Sequence, residues 1–221
     1  MLALYGTLQV LYGDVWRWLN MAQNWQFVAA GTSVQGSNSI SVPLPTGWQQ
    51  GDLLVMPCAG GPSTPSGWTS ATGLSLLYKF AGASESAVTL TNFGSNLIGA
   101  MVAYRNINSY DKQSSANGPT SGTSITTNTL TTTKENELII SLFLSASNGR
   151  TWTSPANTTQ RINIVGQTTA YPSLCLVDEN QLNPSTTTAR TGTTNLSASL
   201  YTVVLAFQEK PNDGNFFFMF N

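Results

Sequence analysis

Gly51-Asp-Leu-Leu-Val-Met-Pro-Cys-Ala59 and Asn136-Glu-Leu-Ile-Ile-Ser-Leu-Phe-Leu-Ser145 are the two stretches whose reading decides the fold. Each opens on a turn and a carboxylate, Asp52 or Glu137, and runs straight into consecutive apolar residues. A short apolar run bounded by turn signals fits a strand in the middle of a packed sheet better than a helix. The two runs therefore predict one β-unit used twice.

The segments downstream of each run repeat in kind. After the first come a loop with a tryptophan (Pro65-Ser-Gly-Trp68), Leu74–Phe80, a polar turn at Gly82–Ser86, Ala87–Thr91, a turn at Asn92–Asn96, and Leu97–Tyr104. After the second come Trp152–Pro155, a polar loop, Pro172–Val177, a turn at Asp178–Pro184, a Thr-rich strand at Thr186–Thr191, a second turn, and Leu196–Phe207. A period of about 85–100 residues is too long for a solenoid and too short for two roomy domains. The expected fold is all-β: a two-sheet, jelly-roll-like β-sandwich over residues 23–208, built from two similar halves, about 39–107 and 129–208. Residues 1–22 form an N-terminal arm or hairpin, and 209–221 a short apolar tail. Gly31–Ser39 reads as a flexible turn, and Ser114–Thr129, almost without apolar residues, as a loop or crossover followed by a strand at Leu130–Thr133.

Composition narrows the chemistry. Of 221 residues 41% are hydrophobic, enough for a core, and only 9% are charged, against ~25% in an average domain. A net charge of −1 provides no broad field for nucleic acid or an anionic membrane. There is no histidine, which removes Ser-His-Asp and Cys-His catalysis and histidine-based zinc sites. Cys58 and Cys175 lie inside apolar runs and read as buried thiols; a disulfide between them is the rival reading and cannot be paired from sequence. The one adjacent carboxylate pair, Asp178-Glu179, would point to opposite faces if in a strand; in a turn it would offer calcium ligands with Asn180. No catalytic residue, cofactor or metal site is expected.

The aromatic residues are the candidate contact points. Met1–Asn20 has no basic n-region and reads as neither a signal peptide nor a membrane span. Alternation across the Gly13-Asp14 turn suggests a hairpin or extended arm carrying Trp16 and Trp18, with a helix from Asp14 as the rival. These tryptophans pack on their own sandwich or dock on a neighbour. Phe216, Phe217, Phe218 and Phe220 near the C-terminus are either a final strand tucked against the parent sandwich or a plug for an adjacent subunit. Trp48, Trp68 and Trp152, in loops, either lid the open ends of the sandwich or stack on sugar rings.

Five motifs recur in a recognisable order: Pro45-Thr-Gly-Trp48, Gly51-Asp-Leu-Leu-Val55, Pro65-Ser-Gly-Trp68, Leu77-Tyr-Lys-Phe80 and Ala103-Tyr-Arg-Asn106. This order resembles a β-sandwich module of tailed-bacteriophage virion proteins, over about Ser39–Gln208. The resemblance implies a non-enzymatic structural protein of the virion, assembled in the host cytoplasm. A capsid decoration (cement) or spike subunit is the leading expectation, with a tail-tip or tail-fibre protein for host attachment, or a carbohydrate-binding module, as alternatives. Its expected partners are other virion proteins (the major capsid protein or tail proteins) and copies of itself, a trimer by analogy, with a host surface glycan as a further candidate.

Overall fold

The computed structural model describes residues 8–12, 15–19, 23–71, 76–167 and 171–211. Among these there is no helix. Strands β1 (Leu8–Tyr12) and β2 (Val15–Leu19) pair as an antiparallel hairpin, Leu8 opposite Leu19 and Tyr12 opposite Val15. The remaining strands form two seven-stranded antiparallel sheets, which make a β-sandwich.

The first sheet holds β3 (Gln26–Ala30), β4 (Val34–Val42), β5 (Leu53–Ala59), β6 (Thr69–Ser70), β7 (Leu76–Phe80), β8 (Val88–Gly99) and β9 (Val102–Arg105). The second holds β10 (Ile107–Gln113), β11 (Asn117–Thr126), β12 (Glu137–Ser145), β13 (Trp152–Thr153), β14 (Thr159–Ile164), β15 (Ser173–Gln181) and β16 (Thr191–Glu209). Their orders match: β3-β9-β5-β7-β6 against β10-β16-β12-β15-β14, with β4 on β8 and β11 on the first part of β16. The jelly-roll likeness is one of layers and not of winding, since each sheet is drawn from one contiguous half of the chain.

The match extends to individual residues. Leu53 lies opposite Tyr104 and Val55 opposite Val102; Leu138 lies opposite Phe207 and Ile140 opposite Leu205. The turn after β3 is tied by Gly31 N donating to Met101 O at 2.7 Å, and the turn after β10 by Ser114 N donating to Val204 O at 2.9 Å. By register, Met101 and Val204 are the same position. The repeat thus runs over 26–105 and 107–209, wider than the two hydrophobic runs and their downstream segments suggest.

The opening runs lack alternation because both their faces are covered. Leu53 and Val55 join Leu138, Ile140 and Leu142 in the core shared by the two sheets. Leu54, Met56 and Cys58 face the other way, into a cluster roofed by Ile40, Val42 and Leu90 of β4 and β8. In the second half Phe143, Cys175 and Val177 meet Ile125 of β11. Each half is a sheet with its own antiparallel flap folded over its outer face. Leu130, Ile139, Val204 and Ala206 form a fourth, smaller cluster, and each fully buried Leu, Ile, Val or Phe contributes roughly 1.5–3 kcal/mol, so these clusters hold both faces of both sheets.

The structure corrects several boundaries. Gly31–Ser39 is largely strand, β4, and Ser114–Thr129 contains the ten-residue strand β11. Asn92–Asn96 does not reverse the chain: Ser37 lies opposite Asn96 and Asn38 opposite Asn92, so residues 93–95 bulge out of a continuous β8, with Gly94 at φ 81°. The same happens in β16, which runs unbroken from Thr191 to Glu209, residues 194–197 bulging against Thr123. The strands expected at Thr186–Thr191 and Leu130–Thr133 reduce, before Thr191, to one isolated bridge between Thr131 and Thr186. Asp178–Gln181 belongs to β15 and is not a turn. Cys58 and Cys175 are buried in different clusters on opposite sides of the sandwich and are not joined to each other.

Candidate functional site

The two opening carboxylates do the same structural job. Asp52 Oδ2 accepts from Gln49 N at 2.8 Å, and Glu137 Oε1 accepts from Thr133 N at 2.9 Å and Lys134 N at 2.6 Å. Each fastens the turn that launches a central strand, and the residue before each has a positive φ, 85° at Gly51 and 54° at Asn136. Their partners differ. Arg105 grips Asp52 as a fork, Nε to Oδ1 at 3.1 Å and Nη2 to Oδ2 at 2.9 Å. The position matching Arg105 in the second half is Gln208, which donates instead to Asp111 Oδ1 at 3.2 Å. Glu137 Oε2 is left buried with no hydrogen-bond partner among the described residues. Burial, with the Asp111 charge adding to it, pushes the Glu137 carboxyl up, against the pull of the two N–H donors.

A second departure from symmetry lies beside a cavity. Tyr78 on β7 lies opposite Val55, and its register counterpart on β15, opposite Ile140, is Asp178. Tyr78 stacks on Tyr110, with ring centroids 5.4 Å apart, and meets Phe207 edge-on at 5.2 Å. At the other position Tyr104, the counterpart of Phe207, donates its hydroxyl to Asp178 Oδ2 at 2.8 Å. Arg161 arrives from an irregularity in β14, between Gln160 and Ile162, and donates Nε to the same oxygen at 2.7 Å. Its guanidinium lies 4.1 Å from the Phe27 ring centroid, a cation–π contact. A stacked aromatic trio in one place is thus a buried ionic cluster in the other.

Asp178 is 1% exposed. Burial pushes its carboxyl up from the ordinary value, opposed by Arg161 and Tyr104. Tyr104 is pushed well above the ordinary phenol range, by burial first and then by the Asp178 charge, and so stays an O–H donor. Both bonds to Asp178 fall on Oδ2; among the described residues no donor reaches Oδ1. Arg161 binds through Nε alone, which leaves Nη1 and Nη2 without an acceptor among those residues.

Asp178 and Arg161 are among the residues lining a cavity of about 630 Å³ where β15 runs out, walled by Asn157–Thr159 and by Gln23 and Trp25 ahead of β3. Trp25 donates Nε1 to Asn180 Oδ1 at 3.1 Å, and Glu209 Oε2 takes the Asn24 and Trp25 backbone N–H groups at 2.8 and 3.3 Å. Glu179, on the opposite face of β15 from Asp178, is held as a fork by Arg190 through Nε and Nη2. The adjacent carboxylates therefore point apart, as a strand requires, and each already has its own arginine. That pairing displaces the calcium reading of the pair. Among the described residues no group of three or more His, Cys, Asp or Glu could hold a metal ion.

The tryptophans fare differently. Trp152 is 3% exposed, packed against Phe143 with centroids 5.7 Å apart and its Nε1 donating to Ser173 O at 3.4 Å; it has no face for a sugar. Trp48 and Trp68 are half-buried lids on the outer cluster of the first sheet, Lys79 Nζ lying 5.9 Å from the Trp68 centroid. Trp16 and Trp18 belong to β2, and their side chains, like Phe216, Phe217, Phe218 and Phe220, lie outside the described residues. The cavity residues Trp25, Arg161 and Arg190 escaped the sequence reading. The only signal was the Asp178-Glu179 pair, whose arginines sit on the neighbouring strand β14 and just ahead of β16.

No family model matches the chain, and neither a curated protein nor a solved structure matches it.

Proposed function

We propose that the protein is a non-enzymatic structural subunit of a bacteriophage virion, a capsid decoration, cement or spike protein ahead of a tail-tip or fibre protein. The observation that carries this reading is where the motif residues sit. Trp48 and Trp68 lid the outer cluster, Asp52 and Arg105 lock the turn before β5, and Tyr104 is buried in the shared core. Every motif by which the chain resembles phage sandwich modules works in the frame, as a repeated shell subunit would need. Four ion pairs, Lys79–Glu85, Arg105–Asp52, Arg161–Asp178 and Arg190–Glu179, tie down charged side chains that a reactive centre would need free.

Immunogold labelling of purified particles with antibody against the recombinant chain tests the reading. Label on the head surface or on a spike is the expected result; label at the tail tip moves the assignment to the fibre alternative. Particles that carry no label, from cells that make the protein, overturn a virion role. Removing Phe216–Asn221 is expected to abolish joining to particles, and light scattering is expected to give a trimer.

A further inference from the structure

We propose that the cavity beside Asp178 binds a neutral saccharide, a role beyond the structural one. Its charges set the ligand class first. Arg161 and Arg190 are matched by Asp178 and Glu179, so the lining is neutral overall. A phosphate or carboxylate would meet two carboxylates, and a cation two guanidiniums. An ionic ligand would have to break a pair already made at 2.7 Å between Arg161 and Asp178.

The unpartnered atoms then choose among neutral ligands. Asp178 Oδ1, on a side chain 1% exposed, can only accept; Arg161 Nη1 and Nη2 can only donate. A hydroxyl does both. A vicinal diol can give a proton to the carboxylate oxygen and take one from the guanidinium beside it, without disturbing the ion pair. The exposed Asn157 amide adds a donor and an acceptor near that centre, and the Gln23 amide, whose Nε2 already donates to Trp25 O, adds its oxygen. Carbohydrates are the ligand class that presents such diols on a compact ring.

Size and rigidity agree. A cavity of about 630 Å³ falls within the ~300–1,000 Å³ of small-molecule sites. Phe27 holds the Arg161 guanidinium in place, and Asn180 fixes the Trp25 wall. Little ordering is left for a ligand to impose, which favours binding.

The test begins by applying the full-length chain to an array of neutral and acidic glycans, followed by calorimetric titration of the best-retained neutral glycan. Arg161→Lys keeps a cation against Asp178 but removes the free terminal nitrogens. Gln23→Ala and Thr159→Ala change exposed wall residues, the first losing one bond to Trp25 O. The expected result is retention of at least one neutral glycan, weakened about tenfold or more by Arg161→Lys and by at least one of the wall variants, at unchanged melting temperature. Trp68→Ala, on the far face, should leave it intact. Should Arg161→Lys unfold the chain, the two wall variants decide. The proposal is overturned if no neutral glycan is retained, if only acidic glycans are retained, or if binding survives both wall variants.

Discussion

Tyr78 and Asp178 occupy the same register position in the two halves, and both reach the aromatic ring that closes the opposite sheet. Tyr78 meets Phe207 through its ring edge, whereas Asp178 meets Tyr104 through a hydrogen bond. Where the duplicated frame asks for a large apolar group, the second half supplies a charge, and Arg161 enters to neutralise it.

The asymmetry should be visible in stability. Asp178→Asn keeps an acceptor for Tyr104 but leaves the Arg161 guanidinium without its counter-charge. The expected loss is about 3 kcal/mol, the low end for breaking a buried ion pair, because Arg161 is 21% exposed. Tyr104→Phe removes one hydrogen bond to a charged group and should cost about 1.5–3 kcal/mol. Tyr78→Phe removes a hydroxyl from a ring already held by Tyr110 and Phe207 and should cost about 1 kcal/mol or less. Urea unfolding of the three variants checks the order. Equal losses for the two tyrosines would refute the asymmetry.

Glu137 sets a pH dependence. Its folded-state value is raised, so the folded chain holds this proton more tightly than the unfolded one. The stability it contributes is fully present below the ordinary glutamate range and is lost as pH climbs through the raised value. Glu137→Gln keeps an oxygen for Thr133 N and Lys134 N and turns the orphaned Oε2 into a donor. At pH 8 the variant should be more stable than the natural chain by about 1 kcal/mol, with no gain at pH 4. Denaturation at the two pH values decides; a shift of the same size at both would rule out Glu137 as the titrating group.

The central strands were legible in the sequence because burial on both faces removes alternation from β5 and β12. The flaps were not. β4 and β11 bury one face each, and β11 offers only Ile125 to its cluster while Ser, Thr, Gly, Asn and one Pro fill the rest. Such residues read as loop when no partner strand is in view. The bulges at Phe93 and Leu196 carry real turn residues, but the chain keeps its direction because β4 and β11 hold both sides of each bulge. The cavity was illegible for a related reason. Its ion pairs join Arg161 on β14 to Asp178 on β15, and Arg190, just ahead of β16, to Glu179, and no local pattern in the sequence marks either pairing.

Neither thiol should react in the folded chain. Burial pushes the Cys175 thiol up to about 12, and Cys58 is fully buried beneath the β4–β8 flap. At pH 8 a thiol with that value has about 10³-fold less thiolate than an ordinary cysteine. Native protein treated with an aromatic disulfide reagent should release almost no chromophore, and protein in denaturant should release two equivalents. Fast release of one equivalent from native protein would mean that a flap opens readily.

Gly192 should be the least replaceable small residue of β16. It lies opposite Ile125, and a β-carbon there would stand 2.7 Å from Phe143 Cδ1 and 2.9 Å from Cε1. The ring cannot retreat, since Phe143 is fully buried and packed against Trp152. Gly192→Ala should therefore destabilise by about 1–3 kcal/mol through overpacking, although alanine ordinarily strengthens a strand relative to glycine. Phe143→Leu makes room at the same point and leaves a void of its own. Because one change fills what the other empties, the double variant should lose less than the two single losses added together, by at least ~0.5 kcal/mol. A melting series of the four proteins measures this coupling. Strict additivity would place the Gly192 backbone away from the Phe143 ring and remove the steric reason for a glycine in the strand.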